Sequence, residues 1–573
     1  MSGAVKSFEI PPTYQDSTLN IALDTISSKR QALVFCNTKR GAESQAEKIA
    51  QKVKPLQNQE AIFQELSESI LHAVPSPTKQ CQRLAMCVKK GIAFHHSGLA
   101  SKQREIIETA FRESILTVIC ATPTLAMGMD LPAYRSIIRD LKRYSQGTSW
   151  SMSDIPVLEY EQMAGRAGRP GREKNGEAIC IAQTESEKER IIEKYILGEP
   201  EEIYSKLAVE PVLRTYVLSL VASGIVNDKD GLYAFFNDTF YAWQYGDTQK
   251  LYAILDRMIL MLEEWEFIET LGEKIDTSDT KSSKNENKKI TKKEKNKDSK
   301  QAGYVDFVSA AELTERENGA LRATRLGERV AQLYLDPYTA HHLLSSIKDA
   351  ESRGLLLNDL PMLHLLMTTL EIRPLLSVKQ GELDAIDALL IEHEDILLVK
   401  SPSAFSHDYD EFLQTIKTAF AMQAWIDEAG EDALLEEFNM TPGDLQAKRD
   451  NVDWILYSLI ELCKLIHWQN KISGLERLRL RVEYGAKDDL LALLRLKGIG
   501  RMRARKLVKS GIRTLEDVRS CDGATLKLLL GEKIAIDIKS QVGQKIEASE
   551  LRVAPNKRKG QINLSDFDGV DGK

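Results

Sequence analysis

The chain has 573 residues, enough for roughly three to five domains of about 100–200 residues each. Hydrophobic residues make up 43% and charged residues 28%, which excludes wholesale disorder, and the net charge of −7 excludes a generally basic surface for nucleic acid. With no apolar run of ~18 residues, no signal peptide and no metal-ligand spacing among the seven cysteines, we expect a cytoplasmic protein with reduced thiols and no metal site.

Short apolar runs rich in β-branched residues alternate with helical patterns in the first predicted domain, residues 1–200. The runs are residues 31–37, 91–96, 115–122, 136–140 and 176–183, and the helical patterns are residues 39–53, 77–90, 100–114 and 157–169. Continuous apolar strands joined by amphipathic helices predict an α/β domain with a parallel sheet covered on both faces. The loops that follow the strands are small, polar or basic, which suits phosphate contacts.

Beyond residue 200 the pattern is mostly helical. We predict a domain at 201–335 with a short strand near 304–308, a helical domain at 336–480, a small basic helical domain at 481–550 and a flexible tail at 551–573. The lysine-rich segment 272–301 has almost no apolar residues, which indicates a disordered insertion. This insertion is either a solvated surface segment or a nonspecific nucleic-acid tether.

The most specific segment is EQMAGRAGRPG at residues 161–171. Gln162, Arg166 and Arg169 are spaced by four and three residues, so they share one helix face. Two guanidinium groups on one face suit a phosphoryl site, because each presents a planar fork of donors that stays charged. The alternative is a solvated basic helix end.

This segment resembles the sixth conserved motif of superfamily-two helicases. ATPTLAMGMDLP at residues 121–132 resembles the fifth, and FHHSGL at 94–99 and LVFCNT at 33–38 look like the motifs before it. Together they resemble the second RecA-like domain of the Ski-related branch, with most similarity to archaeal HelQ-like DNA helicases. The resemblance continues through TRLG at 324–327 and DP at 336–337. It implies a RecA-like domain followed by winged-helix, helical ratchet and helix-hairpin-helix domains.

The resemblance also implies roles for the motif residues. Arg166 and Arg169 would be arginine fingers that reach the γ-phosphate of ATP, with Gln162 close by. Gly128 and Asp130 would lie near the nucleotide. The residues that would hold the tracking DNA strand by its phosphates are Arg40, Ser97, Thr122 and Thr124. The adjacent pair His95 and His96 has no acidic or cysteine partner at ligand spacing, which favours a structural role over a metal site.

Residues 139–156 separate the fourth predicted strand from the arginine-bearing helix. Gly147 suits a tight hairpin turn, and the family has at this place the hairpin that separates the duplex. By this resemblance, Tyr144 or Trp150 would stack on the last base pair. A plain surface loop is the alternative.

Residues 451–466 form one apolar helix stripe, which consists of Val452, Ile455, Leu456, Leu459, Cys463 and Ile466. Trp454 lies nearly opposite this stripe and is similar to the tryptophan of the family's ratchet helix, which would stack on a base. The family's basic residue seven positions earlier is replaced here by Ala447, which argues against a paired phosphate contact. Packing of Trp454 against a neighbouring domain is the alternative.

The segment LKGIGRMRARKL at 496–507 fits a helix-hairpin-helix. Gly498 and Gly500 permit a tight turn whose N–H groups point at a phosphate. Eight basic residues and no acidic residue lie between positions 495 and 513. We therefore expect DNA contacts through these two glycines and through Lys497, Arg501 and Arg505. A hairpin that serves only in packing is the alternative.

An ATP-driven helicase requires a phosphate-binding G-x-x-x-x-G-K-[ST] segment and an acidic box for Mg²⁺. The 573 residues contain no GK[ST], and DEAG at 427–430 resembles the acidic box only superficially. We therefore expect the C-terminal part of an ATP-dependent 3′–5′ DNA helicase, which alone does not hydrolyse ATP. A separate N-terminal half would hold most of the Mg²⁺ contacts.

The expected substrates are single-stranded or forked DNA in replication and repair, which implies a nucleoid-associated protein. Two rivals remain: a non-catalytic DNA-binding remnant and an RNA-remodelling helicase fragment. The helix-hairpin-helix favours DNA over RNA.

The tail segment QINLSDF at 561–567 resembles a sliding-clamp-binding peptide. Leu564 and Phe567 would be the apolar anchors and Gln561 would fix the orientation. Asp568 stands where a second aromatic residue is usual, so we expect weak binding. A disordered tail without a partner is the alternative.

Overall fold

The computed structural model describes residues 9–53, 59–74, 77–128, 130–145, 151–168, 175–207, 209–271 and 320–544. Among these residues, four large hydrophobic cores follow one another along the chain. A fifth, smaller cluster lies beside the third core, around Ile386 and Phe412.

The first core surrounds a parallel sheet. Its strands are β1 Ala32–Phe35, β2 Ile92–His95, β3 Val118–Ala121, β4 Arg135–Ile138 and, after a separate hairpin, β7 Glu177–Cys180, in the order β2-β3-β1-β4-β7. Every pairing is parallel, so the predicted parallel sheet is confirmed. The first four strands are fully buried, as expected for a sheet covered on both faces.

Helices cover this sheet. They are α1 Ser17–Ser27, α2 Lys39–Lys52, α3 Glu60–His72, α4 Lys79–Val88, α5 Ser101–Arg112, α6 Val157–Ala164 and α7 Glu185–Ile191, with a 3₁₀ turn at Pro123–Leu125 and a π-helical turn at Ile192–Ile196. Helix α3 was not predicted. Its buried residues Phe63 and Ile70 are seven positions apart with Ser67 between them, which leaves only a weak apolar stripe.

A two-stranded ribbon precedes α6. Strands β5 Lys142–Ser145 and β6 Ser151–Asp154 pair antiparallel, with Tyr144 opposite Met152. A hairpin is therefore present where the sequence predicted one, although its turn at 146–150 lies outside the described residues.

The second core is formed by helices and another ribbon. Its elements are α8 Glu210–Ala222, α9 Lys229–Asn237, α10 Phe240–Tyr245, α11 Thr248–Glu264, β8 Ile268–Leu271, β9 Ala320–Ala323 and α12 Arg325–Gln332. Strands β8 and β9 pair antiparallel, which the helical prediction for these residues missed. The strand predicted near 304–308 and the lysine-rich segment 272–301 lie outside the described residues.

The third core is entirely helical. Its helices are α13 Pro337–Ser352, α14 Asp359–Met367, α15 Leu383–His393, α16 Tyr409–Ile426, α17 Glu431–Phe438, α18 Pro442–Leu465 and α19 Gln469–Tyr484, with 3₁₀ turns at Leu370–Ile372, Gln380–Glu382 and Glu394–Ile396. The apolar stripe predicted on α18 is buried, except that Ile466 at its end is half-buried.

The fourth core belongs to a compact C-terminal module. Its elements are a 3₁₀ turn at Asp488–Leu490, α20 Leu491–Leu494, α21 Arg501–Lys509, α22 Leu515–Ser520, α23 Gly523–Leu530 and α24 Glu532–Gln541. Within the described ranges, no helix is long and apolar enough to cross a membrane.

Candidate nucleotide and DNA sites

Four predicted strand-binding residues lie along one edge of the parallel sheet. Because β2, β3 and β1 are neighbours, the loops at their carboxyl ends are brought side by side. Arg40, Ser97 and Thr124 are exposed there, and Thr122 is half-buried. The Thr122 and Thr124 hydroxyls are 2.9 Å apart. The structure therefore brings together residues that lie up to 84 positions apart in the sequence.

Helix α6 carries Gln162 but ends at Ala164, so Arg166 lies in the turn that follows and not on one helix face with Gln162 as the sequence predicted. The helix is fixed to β4, because the Ser136 hydroxyl donates to the Met163 carbonyl at 2.6 Å. Beyond α6, the Ala133 amide donates to the Arg166 carbonyl at 2.9 Å. The Arg166 guanidinium is half-buried and donates to the Ala126 carbonyl, so it lies against the loop after β3.

The region of Gln162 and Gly128 leaves one polar atom and some space unfilled by the described residues. The Gln162 side-chain oxygen is buried and has no hydrogen-bond partner among the described residues, so a ligand or water can satisfy it. Gly128 has φ +83°, and a Cβ built on it would meet nothing within 4 Å. Asp130 is exposed, and Arg169 lies outside the described residues. These features fit a phosphate-bearing ligand held from the arginine side.

The two adjacent histidines hold the loop that carries Ser97. His96 is fully buried, its Nε2 lies 3.1 Å from a Glu43 oxygen, and its Nδ1 accepts from the Gly98 amide at 3.1 Å. Burial lowers the pKa of His96, so the neutral ring accepts this bond at ordinary pH. His95 Nε2 pairs with Glu108 at 2.9 Å. In the described ranges, no group of three or more His, Cys, Asp or Glu side chains could hold a metal.

The start of α18 docks on this same loop, which the sequence did not predict. The Gly443 amide donates to the Gly98 carbonyl at 3.0 Å, and a Cβ on Gly443 would lie 2.0 Å from the Ser97 carbonyl oxygen. Lys39 pairs with Asp444 at 2.9 Å. The contact therefore requires glycine at position 443.

Arg40 takes part in this domain contact too. Its guanidinium donates to the Asn439 side chain at 3.2 Å. Asn439 has φ +57° at the end of α17, a left-handed conformation that asparagine tolerates. Arg40 therefore takes part in a contact between the parallel-sheet domain and the helical domain, and a phosphate bound at Arg40 would have to share or replace this contact.

Trp454 on α18 is held by the second core. Its side chain is half-buried, and its indole N–H donates to the Leu333 carbonyl at 3.1 Å. This contact is the packing against a neighbouring domain that the sequence analysis gave as the alternative to stacking. The exposed part of the ring is accessible to a base. Nearby Lys448 is buried, its ammonium donates to the Ile372 and Pro374 carbonyls, and burial lowers its pKa to about 8.

The ribbon β5–β6 is fastened to α6 by an ion pair between Arg143 and Glu159 at 2.7 Å. Only the backbone of Tyr144 is described, and Trp150 lies outside the described residues. The predicted stacking of these two side chains therefore remains a prediction.

Arg501 and Arg505 make contacts that the sequence did not predict. Arg505 donates to Glu428 at 2.8 Å and to Asp489 at 2.5 Å, and these bonds raise its pKa. Arg501 lies 4.3 Å from the ring centre of Trp425 and donates to the Ala429 carbonyl at 3.1 Å. Both guanidiniums thus join the C-terminal module to the helical domain, and their expected contacts with DNA remain a prediction.

The hairpin turn itself is open. Gly498 has φ +85°, and the amides of Gly498 and Gly500 have no acceptor among the described residues. Gly500 precedes the first residue of α21, so these donors lie at a helix N-terminus. Within the basic cluster 495–513, the side chains that are exposed and have no hydrogen-bond or ion-pair partner among the described residues are Arg495, Lys497, Lys506, Lys509 and Arg513.

Comparison with known proteins shows the family of the chain. The helicase conserved C-terminal domain matches residues 62–171, domain 4 of archaeal helicases matches 360–485, and a SAM-like helix-hairpin-helix tandem matches 490–543. The chain is 33% identical to the ATP-dependent DNA helicase Hel308 of Methanocella arvoryzae over 564 residues, 97% of this chain and 68% of the relative. The chain belongs to the Hel308 helicase family.

Two further Hel308 relatives give the same picture. The protein of Methanococcus vannielii is 34% identical, with 94% of this chain and 68% of the relative covered. The protein of Pyrococcus horikoshii is 32% identical, with 95% and 67% covered. The chain thus spans about two thirds of the length of the Hel308 proteins that it matches.

The helix-hairpin-helix tandem shows what the sequence reasoning missed in this Hel308 chain. A second hairpin, α23 and α24, turns at Gly531 with φ +88°. The signal was available, since a glycine separates the leucine-rich segment 526–530 from the next amphipathic segment. The tail residues Gln561, Leu564 and Phe567 lie outside the described residues, so the clamp-binding peptide remains a prediction.

Proposed function

We propose that this chain provides the arginine side of the ATP site and the DNA-guiding surface of an ATP-dependent 3′–5′ DNA helicase. The phosphate-binding loop and most Mg²⁺ contacts come from a partner RecA-like domain that carries GK[ST]. The complete enzyme moves along single-stranded DNA and opens forked substrates.

The observation that carries the proposal is the open arrangement of Gln162, Arg166 and Gly128. The Gln162 oxygen is buried and has no partner among the described residues, and a Cβ on Gly128 would meet nothing within 4 Å. The Arg166 guanidinium donates to Ala126 in the same loop as Gly128. A preorganised guanidinium stabilises charge that develops during phosphoryl transfer. Because the 573 residues contain no GK[ST], ATP would bind between Arg166 and another domain.

The strand would follow the sheet edge towards the helical domain. Arg40, Ser97, Thr122 and Thr124 would hold its phosphates, and the exposed part of Trp454 would stack on a base. The ribbon β5–β6, next to α6, is the proposed wedge for the duplex. These contacts position a strand without reading its sequence, which suits a motor.

The C-terminal module would hold the displaced or tracking strand through fewer residues than the sequence predicted. Lys497 and the open amides of Gly498 and Gly500 remain the phosphate contacts, because their donors have no internal acceptor. Arg501 and Arg505 instead fix the module to the helical domain.

The test measures DNA-stimulated ATP hydrolysis in three samples: the chain alone, the chain with a GK[ST]-bearing RecA-like domain of a Hel308 relative, and the same mixture with Arg166→Ala. We expect hydrolysis only in the second sample. Hydrolysis by the chain alone that Arg166→Ala abolishes would overturn the proposal, because the chain would then contain a complete site. Directionality is read from unwinding of forks with a single 3′ or 5′ tail.

A further inference from the structure

A buried carboxylate lies beneath the surface that joins the parallel-sheet domain to the helical domain. The Glu43 side chain on α2 is 8% exposed. Its oxygens accept hydrogen bonds from Gln80 at 2.6 Å, from His96 at 3.1 Å and from Arg83 at 2.8 Å. Burial alone would raise the pKa of Glu43, but the hydrogen bonds from His96 and Gln80 lower it to about 2. Glu43 is therefore ionised at ordinary pH and acts only as an acceptor.

Two helices that meet at Glu43 also contact the helical domain. Lys39, one turn before Glu43 on α2, pairs with a carboxylate at the start of α18 at 2.9 Å. On α4, the residue before Gln80 is Lys79, and its amide donates to a carboxylate of α17 at 2.9 Å. Glu43 thus ties together the ends of two helices that face the same neighbouring domain.

The loop after β2 is the third element bound to Glu43. Because the ionised carboxylate only accepts, His96 carries its proton on Nε2 and has a free lone pair on Nδ1. This Nδ1 accepts from the Gly98 amide at 3.1 Å, and the ring is stacked on Phe94 with 5.6 Å between ring centres. The Gly98 carbonyl accepts from the Gly443 amide of α18 at 3.0 Å. The N–H and the C=O of Gly98 are therefore held by different domains.

Two candidate strand contacts lie next to these bonds. Ser97 stands between His96 and Gly98, and its side chain is exposed. Arg40 is exposed three residues before Glu43, at a spacing that places both residues on the same side of α2. The position of Ser97 relative to Arg40 therefore depends on the bond between Glu43 and His96.

From these contacts we infer that Glu43 is a positioning residue for the DNA strand. Through His96 it fixes the loop so that Ser97 lies in register with Arg40 while α18, which carries Trp454, stays docked at Gly98. Glu43 is buried and does not itself touch DNA. The inference rests on the proposed function and adds the group that aligns two of its phosphate contacts.

A second histidine–carboxylate pair provides a matched control. His95 Nε2 lies 2.9 Å from the Glu108 carboxylate, and its Nδ1 is buried without a partner among the described residues. This pair has the same chemistry as Glu43 and His96, but within the described ranges it makes no bond to the loop that carries Ser97. Glu108→Gln therefore changes a similar ion pair without changing the acceptor of the Gly98 amide.

The first test measures binding of the full chain to a single-stranded oligonucleotide by fluorescence anisotropy, with Tm measured in parallel. In Glu43→Gln the new NH₂ group faces a donor of Gln80, Arg83 or His96 whichever way the amide is turned, so the His96 tautomer is no longer fixed. We expect Kd to rise about 5- to 10-fold, as for one misplaced hydrogen bond. Glu108→Gln should change Kd less than twofold, and equal effects of the two variants would overturn the inference.

Two substitutions of His96 distinguish positioning from general support of the fold. The Asn oxygen in His96→Asn can accept from the Gly98 amide, as in an Asx turn, and needs no partner to fix a tautomer. His96→Leu has a similar shape and no acceptor. We expect His96→Leu to raise Kd as Glu43→Gln does, and His96→Asn to recover most of that loss although its Tm is lower. DNA affinity that follows Tm in all variants would overturn the inference.

The double variant Glu43→Gln/His96→Asn tests whether Glu43 acts through His96. If it does, Glu43→Gln should no longer change Kd in the Asn background. An undiminished effect there would mean that Glu43 supports the fold and does not position the loop. If Glu43→Gln fails to fold, the comparison of His96→Leu with His96→Asn decides, because equal DNA affinity in these two variants would overturn the inference.

Arg40→Ala and Ser97→Ala separate this inference from the proposed function. If both raise Kd while Glu43→Gln does not, the strand path stands and only the positioning role is wrong. If neither changes Kd, or if the wild-type chain does not bind the oligonucleotide, the proposed strand path is wrong and the positioning role with it.

Discussion

Arginines in two parts of this molecule differ in how many internal partners they have. Just after α6, the Arg166 guanidinium donates to the Ala126 carbonyl. In the same region, the Gln162 side-chain oxygen has no partner among the described residues and a Cβ on Gly128 would meet nothing within 4 Å. In the C-terminal module, Arg505 is held between Glu428 and Asp489, and Arg501 lies over Trp425. The first region leaves donors and space for a ligand, whereas the second uses its guanidiniums to join two domains.

This difference shows that a basic sequence cluster does not identify its own partner. Eight basic residues without an acidic one predicted a DNA-binding module, but the carboxylates that engage Arg505 come from positions 428 and 489, outside the cluster. Near α6 the motif was longer, but the open space lies at Gly128, which belongs to the separate segment 121–132. The predictions below test whether the two regions differ in function as they do in contacts.

The largest effect is expected at Arg166. In the reconstituted enzyme, Arg166→Ala should lower ATP turnover by about 10²–10³ or more, because a preorganised positive charge at the transferring phosphoryl group is lost. Single-stranded DNA affinity should stay within about twofold. The measurement is steady-state ATPase with DNA titration, and a parallel loss of DNA binding would indicate a folding defect instead.

At Arg505 the expected effect is on stability. Arg505→Ala leaves two carboxylates without their cation, and with the side chain about 25% exposed we expect a loss of about 2–3 kcal/mol from the module. In a unit of about 60 residues each kcal/mol lowers Tm by about 4–8 °C. Calorimetry should show an earlier transition for the module, while the control Lys506→Ala should leave it unchanged. A large loss of DNA affinity by a module that melts normally would restore Arg505 as a DNA contact.

At Gly443 the sign of the change in stability tests the contact between α18 and the loop that carries Ser97. Gly443→Ala places a Cβ 2.0 Å from the Ser97 carbonyl, so it should weaken the docking of α18 and cost about 1–2 kcal/mol. The control is Gly474→Ala in α19, where a Cβ meets nothing within 4 Å, and alanine should stabilise the helix by up to about 1 kcal/mol. Stabilisation by both variants would mean that the RecA-like and helical domains do not make this contact in solution.

How much the sequence could predict depends on whether a feature is local. Strands β1 to β4 were predictable because continuous apolar runs specify a buried parallel sheet. The shared helix face expected for Gln162 and Arg166 was wrong, because α6 ends at Ala164. The engagement of Arg40 by Asn439, 399 positions away, has no local signal. The same holds for the acceptor of the Trp454 indole, which belongs to a different core. Contacts between domains therefore could not be predicted from sequence patterns.

Two substitutions of Trp454 distinguish its packing role from base stacking. Trp454→Phe keeps a ring and removes the hydrogen bond to Leu333, whereas Trp454→Ala removes both. If the exposed ring stacks on a base, Ala should weaken single-stranded DNA binding by about 1–2 kcal/mol and Phe by much less. Fluorescence anisotropy with a short oligonucleotide measures this difference. If both variants bind DNA as tightly as the wild type but have a lower Tm, Trp454 serves in packing alone.

The smallest expected effect, and the closest comparison with Arg505, is at Lys497. Its side chain is exposed without an internal partner, and it belongs to the turn whose Gly498 and Gly500 amides are open. Lys497→Ala should therefore leave Tm unchanged and remove one phosphate contact. The slope of log K against log salt for single-stranded DNA should fall in magnitude by about 0.7, the value for one released counterion. A matched Lys487→Ala, outside the turn, should preserve the slope. If Lys497→Ala also preserves it, the hairpin turn does not hold a phosphate, and the C-terminal module would serve only in packing.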